Sequence, residues 1–296
     1  MRILGLPADD YIQTIQFFKK YKFVIYSGAV DWGKRLHPNI LISHGITWDA
    51  PTKNVTLKYI FNIFSNIDYI VSVDTNTISW LRTTFPFDFE DREMRYIPNY
   101  VDTSLYKPLS RDETIPVQIT FPRRASPERG YWLMSKALPI IMEKYPHAEF
   151  NFVGFAHGKK VKSDMQKLID MFPGRIRHYV CEPSDMYQIY QKTDISLIPT
   201  LYAEGTSLSC LEAQACGNVV ISTNIGGLPN LILDGYNGLL INPCAADLVC
   251  AIDKVIADKE LREKLSANAV QVAKSFDKIF WGNKWKDVIK KISKDE

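Results

Sequence analysis

The sequence has no Gly-x-x-x-x-Gly-Lys-Ser/Thr loop; the nearest piece, Gly154-Phe-Ala-His-Gly-Lys-Lys160, has the wrong spacing and no hydroxyl after the lysine. It has no Gly-x-Gly-x-x-Gly run either, so nucleoside triphosphate hydrolysis and dinucleotide redox chemistry both lack their usual loop. None of its five cysteines, Cys181, Cys210, Cys216, Cys244 and Cys250, forms a Cys-x-x-Cys pair. They read as reduced, small apolar side chains. No histidine–carboxylate cluster has metal-ligand spacing, so neither a metal nor a resident cofactor is expected. No apolar run approaches the roughly 20 residues of a membrane span. The start, MRILGLPADD, lacks the basic and apolar stretches of an export signal. The expectation is a cytoplasmic protein, with contact at a membrane surface left open. A net charge of +3 without a dense basic stripe argues against a nucleic-acid partner.

What is present is alternation. Apolar, β-branched runs recur at Phe23–Ser27, Ile40–Ser43, Tyr69–Val73, Val117–Phe121, Glu149–Val153, Arg175–Val180, Ile195–Pro199, Val219–Ser222 and Gly238–Ile241. Helix-length stretches such as Arg129–Lys144, Pro183–Gln191, Ser207–Cys216 and Ala246–Ala257 lie between them. Strand–helix alternation predicts an α/β fold with parallel sheets covered by helices on both faces. A polar, proline-flanked break at Lys107–Pro116 divides about three early strands from six later ones. We therefore expect two Rossmann-like domains with a cleft between them: a shortened first domain over 1–105, a larger one over 106–275, and a C-terminal helix over 276–296 packing back towards the first. Ligands of such sheets bind beyond the carboxyl ends of the strands.

Three stretches offer chemistry there. In Pro199–Gly217 a strand ends, a loop carries Glu204 and Gly205, and a helix begins, with Thr206 or Ser207 as candidate cap. Its first amides form a positive end suited to phosphate. Glu212 follows about five residues in, roughly 7–8 Å deeper. It is either an ordinary surface glutamate or, given the small apolar residues around it, a half-buried one that needs a partner. The second stretch, Phe121-Pro-Arg-Arg-Ala-Ser-Pro-Glu-Arg-Gly130, puts Arg124 and Arg129 across a turn where both could meet one diphosphate, with Glu128 as their charge partner. A solvated loop is the plainer alternative. The third is His44, after an apolar strand and before Gly45; a lone histidine is more often structural, and only its position gives it weight.

Together these pieces resemble the retaining nucleotide-sugar glycosyltransferases of the GT-B fold, glycosyltransferase family 4, also called group 1. The resemblance runs through Ser43-His-Gly45, Ile97-Pro-Asn-Tyr-Val-Asp102, Arg124–Gly130, Phe152-Val-Gly154 and Asp194–Pro199. It continues through the Glu204/Glu212 pair to Gly217, Gly226-Gly-Leu-Pro229 and Asp234-Gly-Tyr-Asn-Gly238. It implies transfer of a hexosyl unit from a nucleotide-diphosphate sugar to a glycan or lipid-linked acceptor, without metal and with the anomeric configuration retained. Arg124 and Arg129 would neutralise the donor diphosphate. Gly205, Thr206 and Ser207 would cradle sugar and phosphate, and Glu212 would hold the ribose hydroxyls. Glu204 and His44 would stand at the donor sugar as the catalytic pair. Whether Glu204 is a covalent nucleophile or an electrostatic partner stays open; the family generally favours the front-face route.

The departures are Arg129 where the family has lysine, Asn230 after the Gly-Gly-x-Pro run, and no glycine after the Arg175 strand, near where the family seats the base. Little chain precedes His44, and no Gly-Gly loop occurs there. A short first sheet calls for a cover: an oligomer, a partner subunit or further upstream chain. The alternative function is a nucleotide-sugar-binding remnant that needs such a partner. Aromatic, basic helices over Tyr11–Lys22 and Trp281–Lys291 would suit a lipid-linked acceptor at a membrane, although a buried aromatic face is the commoner use.

Overall fold

The computed structural model describes residues 24–27, 37–46, 55–90, 92–110, 116–202 and 204–292. The expected helix Tyr11–Lys22 lies outside them, as does most of the second half of the Lys107–Pro116 break. Both sheets are parallel, which bears out the α/β class. The chain divides into two compact units: Met1–Asn99 with Ala203–Thr206 and Trp281–Glu296, and Tyr100–Tyr202 with Ser207–Phe280.

The first unit has four strands rather than the expected three. They are β1 (Val24–Ser27), β2 (Asn39–Ser43), β3 (Tyr69–Ser72) and β4 (Glu93–Tyr96), side by side in that order. The fourth, Glu-Met-Arg-Tyr, sits at an edge and is only partly buried, so it needs no apolar run. Alternation along β2 serves two layers. Leu41 faces Ile60, Ile63 and Phe64 of helix α1 (Leu57–Ser65) and Leu81 of α2 (Thr75–Thr84). Ile40 and Ile42 instead join Val71, Val73 and Ile97 against Trp285, Val288 and Ile292. Those last three form an apolar stripe on the terminal helix, Lys278–Ile292. Its aromatic side is thus used, in part, to cover the sheet.

The second unit has six strands in the order β10-β9-β8-β5-β6-β7. They are β5 (Gln118–Phe121), β6 (Glu149–Val153), β7 (Ile176–Tyr179), β8 (Ile195–Ile198), β9 (Val219–Thr223) and β10 (Gly238–Ile241). Helices α3 (Tyr131–Lys144), α4 (Lys159–Met171) and α7 (Ala245–Ala257) cover one face, packing Met134, Leu138, Ile141, Leu168, Leu248 and Ile252 onto Ile119, Phe150 and Leu197. The other face lies under α5 (Met186–Gln191), α6 (Leu208–Ala215) and α8 (Lys259–Lys274), through Tyr190, Leu211, Ala213 and Ala273. Helix α9 is the terminal one, Lys278–Ile292. The chain runs outward from β5 through β6 to β7, then returns to β5's other side as β8. That reversal leaves a crevice at the carboxyl ends of β5 and β8, the place where such sheets bind ligands. No helix among the described residues is long and apolar enough to cross a membrane.

Candidate functional site

The two loops that leave β5 and β8 flank this crevice and are fastened together. Gly130, at the start of α3, has φ +82°, a left-handed conformation that suits glycine. A Cβ there would fall on the Pro199 carbonyl, 2.7 Å from its carbon. The amide of Leu201 donates to the Glu128 carbonyl at 3.0 Å. Just before, residues Pro127–Arg129 make a 3₁₀ turn, and the Ser126 hydroxyl donates to Glu128 at 2.7 Å. Burial works against a charge on Glu128, but Ser126, its own backbone amide and the nearby Arg124 hold its carboxyl below the usual range. The hydrogen-bond partner of Glu128 is thus Ser126, with Arg124 near enough to act on its charge.

Arg124 is exposed and Arg129 half-buried on this turn. The arginine that the sequence did not single out is Arg123. Its guanidinium donates to the Thr200 hydroxyl and, at 3.5 Å, to the Ser207 hydroxyl. Neither of the two expected capping hydroxyls is free to cap α6. Ser207 stands at the N-cap position of α6 but makes no side-chain capping bond. Thr206 does not cap either; its hydroxyl donates to the Val73 carbonyl. The open first turn of α6 and Arg123 lie side by side, a positive pairing that favours an anion. The signal for Arg123 was there: it has the same parity as Phe121, but the strand had to be placed before its direction could be read.

Glu212 lies on the half-buried side of α6, next to buried Leu211 and Ala213. Burial pushes its carboxyl up to about 7, against the pull of the Tyr190 and Tyr106 hydroxyls. It is thus poised to change charge near neutrality, which sets it apart from a solvated glutamate. Farther along the same edge, Phe155, Lys162, Gln166, His178 and Val180 line a half-open cavity of about 320 Å³ beyond β6 and β7. His178 Nε2 lies 2.9 Å from the Gly154 carbonyl.

The loop carrying Glu204, Gly205 and Thr206 packs with the first unit. Asn99 Nδ2 donates to the Thr206 carbonyl at 3.0 Å. A Cβ on Gly205 would lie 2.6 Å from Val73 Cγ2 and 2.7 Å from the His44 carbonyl oxygen. Gly205 and His44 are therefore neighbours, one contributed by each of two distant loops. His44 follows β2 directly and is exposed, yet the protein around it desolvates the ring and lowers its pKa. Desolvation thus favours the neutral ring. Asp74, which a Cβ on Gly45 would meet at 3.4 Å, is buried and caps α2 by accepting from the Thr77 amide at 2.6 Å. Gly205→Ala is expected to cost about 1–3 kcal/mol by overpacking. Thermal unfolding measures this; an unchanged midpoint would mean that the close approach to Val73 and His44 does not hold.

Residues 109–272, more than half of the chain, match the family model described as glycosyl transferases group 1. An uncharacterized glycosyltransferase of Methanocaldococcus jannaschii is 29% identical over 150 residues, covering 50% of this chain and 42% of that protein. A D-inositol 3-phosphate glycosyltransferase of Corynebacterium aurimucosum is 29% identical over 193 residues, 59% of this chain and 46% of that one. The chain spans half or less of the length of the curated relatives it matches. Among solved structures, sucrose-phosphate synthase from Thermosynechococcus elongatus superposes with TM-score 0.82 at 17% identity, over 100% of this chain and 84% of that one. Anabaena HepE in complex with UDP gives 0.76 at 16% identity, over 98% and 85%. At such identities the likeness establishes the fold, and the fold is that of the GT-B enzymes.

Proposed function

The chain belongs to the glycosyl transferases group 1 family, and from that premise we propose that it moves a hexosyl unit from a nucleotide-diphosphate sugar to a glycan or lipid-linked acceptor, with retention. The observation that carries this reading is that the Arg123–Arg129 turn and the start of α6 meet at the carboxyl ends of β5 and β8. A departing diphosphate needs fixed positive groups that do not reorganise, and bidentate guanidinium with helix amides supplies them. In this reading Arg124 and Arg129 hold the diphosphate without a metal, assisted by Ser207 and the first amides of α6. Glu212 takes the ribose hydroxyls, and the cavity by His178 seats the base. His44 and Glu204, with Gly205 and Thr206, attend the sugar. The bond from the anomeric carbon to the diphosphate oxygen breaks, and the acceptor oxygen bonds to the same face. The acceptor's proton passes to the departing diphosphate. A neutral His44 suits this, since it can hydrogen-bond a sugar hydroxyl without adding charge.

The test supplies UDP-, GDP- and ADP-hexoses with inositol phosphate and lipid-linked acceptors and follows release of nucleoside diphosphate and of sugar. Transfer is expected, with His44→Ala and Glu204→Gln lowering turnover about 100-fold while nucleotide affinity stays within a few-fold. Full turnover in both variants would refute the assignment. The alternative reading is binding without turnover. That reading predicts tight nucleotide binding with no sugar released from any donor unless another chain is added. The acceptor reading at a membrane surface would show as retention on anionic vesicles.

A further inference from the structure

The cavity beyond β6 and β7 has more polar character than the seat of a flat ring requires. Its apolar part includes buried Met165 and half-buried Ile169 of α4. Two further lining side chains, Phe155 and Val180, are 70% and 47% exposed. A stacked ring would cover such surface, and stacking accepts any base, since each has a π-face. The cavity adjoins the arginine turn. The Ala125 amide donates to the Phe155 carbonyl at 2.9 Å, and the His157 amide donates back to the Ala125 carbonyl at 2.8 Å. Arg124 thus directly precedes the residue that ties the two loops together.

Choice among bases then falls to the polar lining, whose three members are not interchangeable. Lys162 supplies donors only. Gln166 stands one turn further along the same exposed side of α4. Its amide nitrogen donates to Asp170 Oδ1 at 2.8 Å, which leaves its side-chain oxygen as an acceptor. The Gly154 carbonyl can only accept, so His178 meets it with a protonated Nε2. In the neutral ring Nδ1 is then a second acceptor. The lining thus presents one donor group and two acceptors.

We propose that this cavity selects guanine, so that the sugar donor is a guanosine-diphosphate sugar. The inference rests on the reading of the cavity as the base seat. The pairing edge of guanine carries one acceptor, O6, beside two donors, N1–H and the 2-amino group. That is the complement of Lys162 with Gln166 and His178. Uracil presents two carbonyls around one N–H, so one carbonyl meets an acceptor. Adenine has one amino donor and the N1 acceptor on that edge, and leaves one of the two acceptors without a hydrogen. A site rejects the wrong ligand mainly through the groups that it leaves unpaired. Lys162, Gln166 and His178 are in this account specificity-determining residues, since none of them meets the reacting atoms.

The experiment is titration calorimetry of the whole chain with GDP, ADP, UDP and inosine diphosphate. Inosine differs from guanosine only by the missing 2-amino group, so that pair isolates one hydrogen bond and needs no variant. GDP is expected to bind about tenfold or more tightly than each of the other three. Lys162→Met should weaken GDP about tenfold. At least one of Gln166→Leu and His178→Phe should reduce the guanosine-over-inosine ratio to about twofold or less. All three side chains are exposed, so these substitutions spare the core. If UDP or ADP binds as tightly as GDP, the choice of guanine is overturned while the nucleotide-sugar reading stands. A guanosine preference that all three substitutions leave intact overturns this cavity as its source. If none of the four nucleotides binds, the nucleotide-sugar reading falls and the choice of guanine with it.

Discussion

Gly130→Ala is expected to be the most damaging single substitution at the site, costing about 3–5 kcal/mol. Two effects combine. The residue's φ of +82° is in a region that L side chains adopt at a cost of about 1–2 kcal/mol. The added methyl would also fall on the Pro199 carbonyl, and the atom in its way is backbone at the end of β8, not the tip of a flexible side chain. Relief requires the β5 and β8 loops to separate, which breaks the Leu201–Glu128 bond that ties them. Thermal unfolding should show the midpoint falling by about 6–15 °C for a unit of this size. Nucleotide binding should weaken alongside, because the arginine turn ends at this glycine. A variant with wild-type stability would mean that these loops are not packed as described.

Glu212→Gln is expected to have opposite effects on stability and on binding, and the difference should grow with pH. The folded-state carboxyl titrates near 7, above its ordinary 4.5. Its contribution to stability is therefore fully present below about pH 4.5 and is lost as pH rises through 7. The shift corresponds to about 3 kcal/mol at most. Glutamine carries no such charge, so the variant should gain on the wild type between pH 5 and 8 in denaturant unfolding. Over the same range the wild type should gain nucleotide affinity, since only the ionised carboxylate accepts from a ribose diol. Stability curves that run parallel across this window would contradict the burial of Glu212.

The layout of the fold could be read from the sequence because most strands are buried on both faces. Runs such as Ile195–Ile198, apolar but for Ser196, and Val219-Val220-Ile221 are buried throughout, as a central parallel strand requires. β4 was not legible, since an edge strand needs no such run and Glu93 and Arg95 fill it instead. The glycines were readable as types but not as reasons. Gly130 and Gly205 are needed because of Pro199, Val73 and His44, all distant in sequence. The same holds for the residues around Glu212. Its place on a helix of small residues was apparent, but only the folding of α5 and the Tyr106 segment brings two phenols to it. Arg123 shows a subtler limit: the motif drew attention to its neighbour Arg124, while strand geometry sent Arg123 to Thr200 and Ser207. Capping by Thr206 or Ser207 failed for the same reason, because each hydroxyl had a tertiary partner that local sequence does not reveal.

The central claim is that the β5–β8 crevice holds a nucleoside diphosphate. It is tested most directly by calorimetric titration at pH 8 with UDP, GDP and ADP, on the wild type and on Arg124→Ala, Arg129→Ala and Glu212→Gln. The account predicts saturable one-to-one binding of at least one of the three, weakened about tenfold or more by each substitution. Absence of binding by all three, or binding that none of the substitutions disturbs, would contradict it.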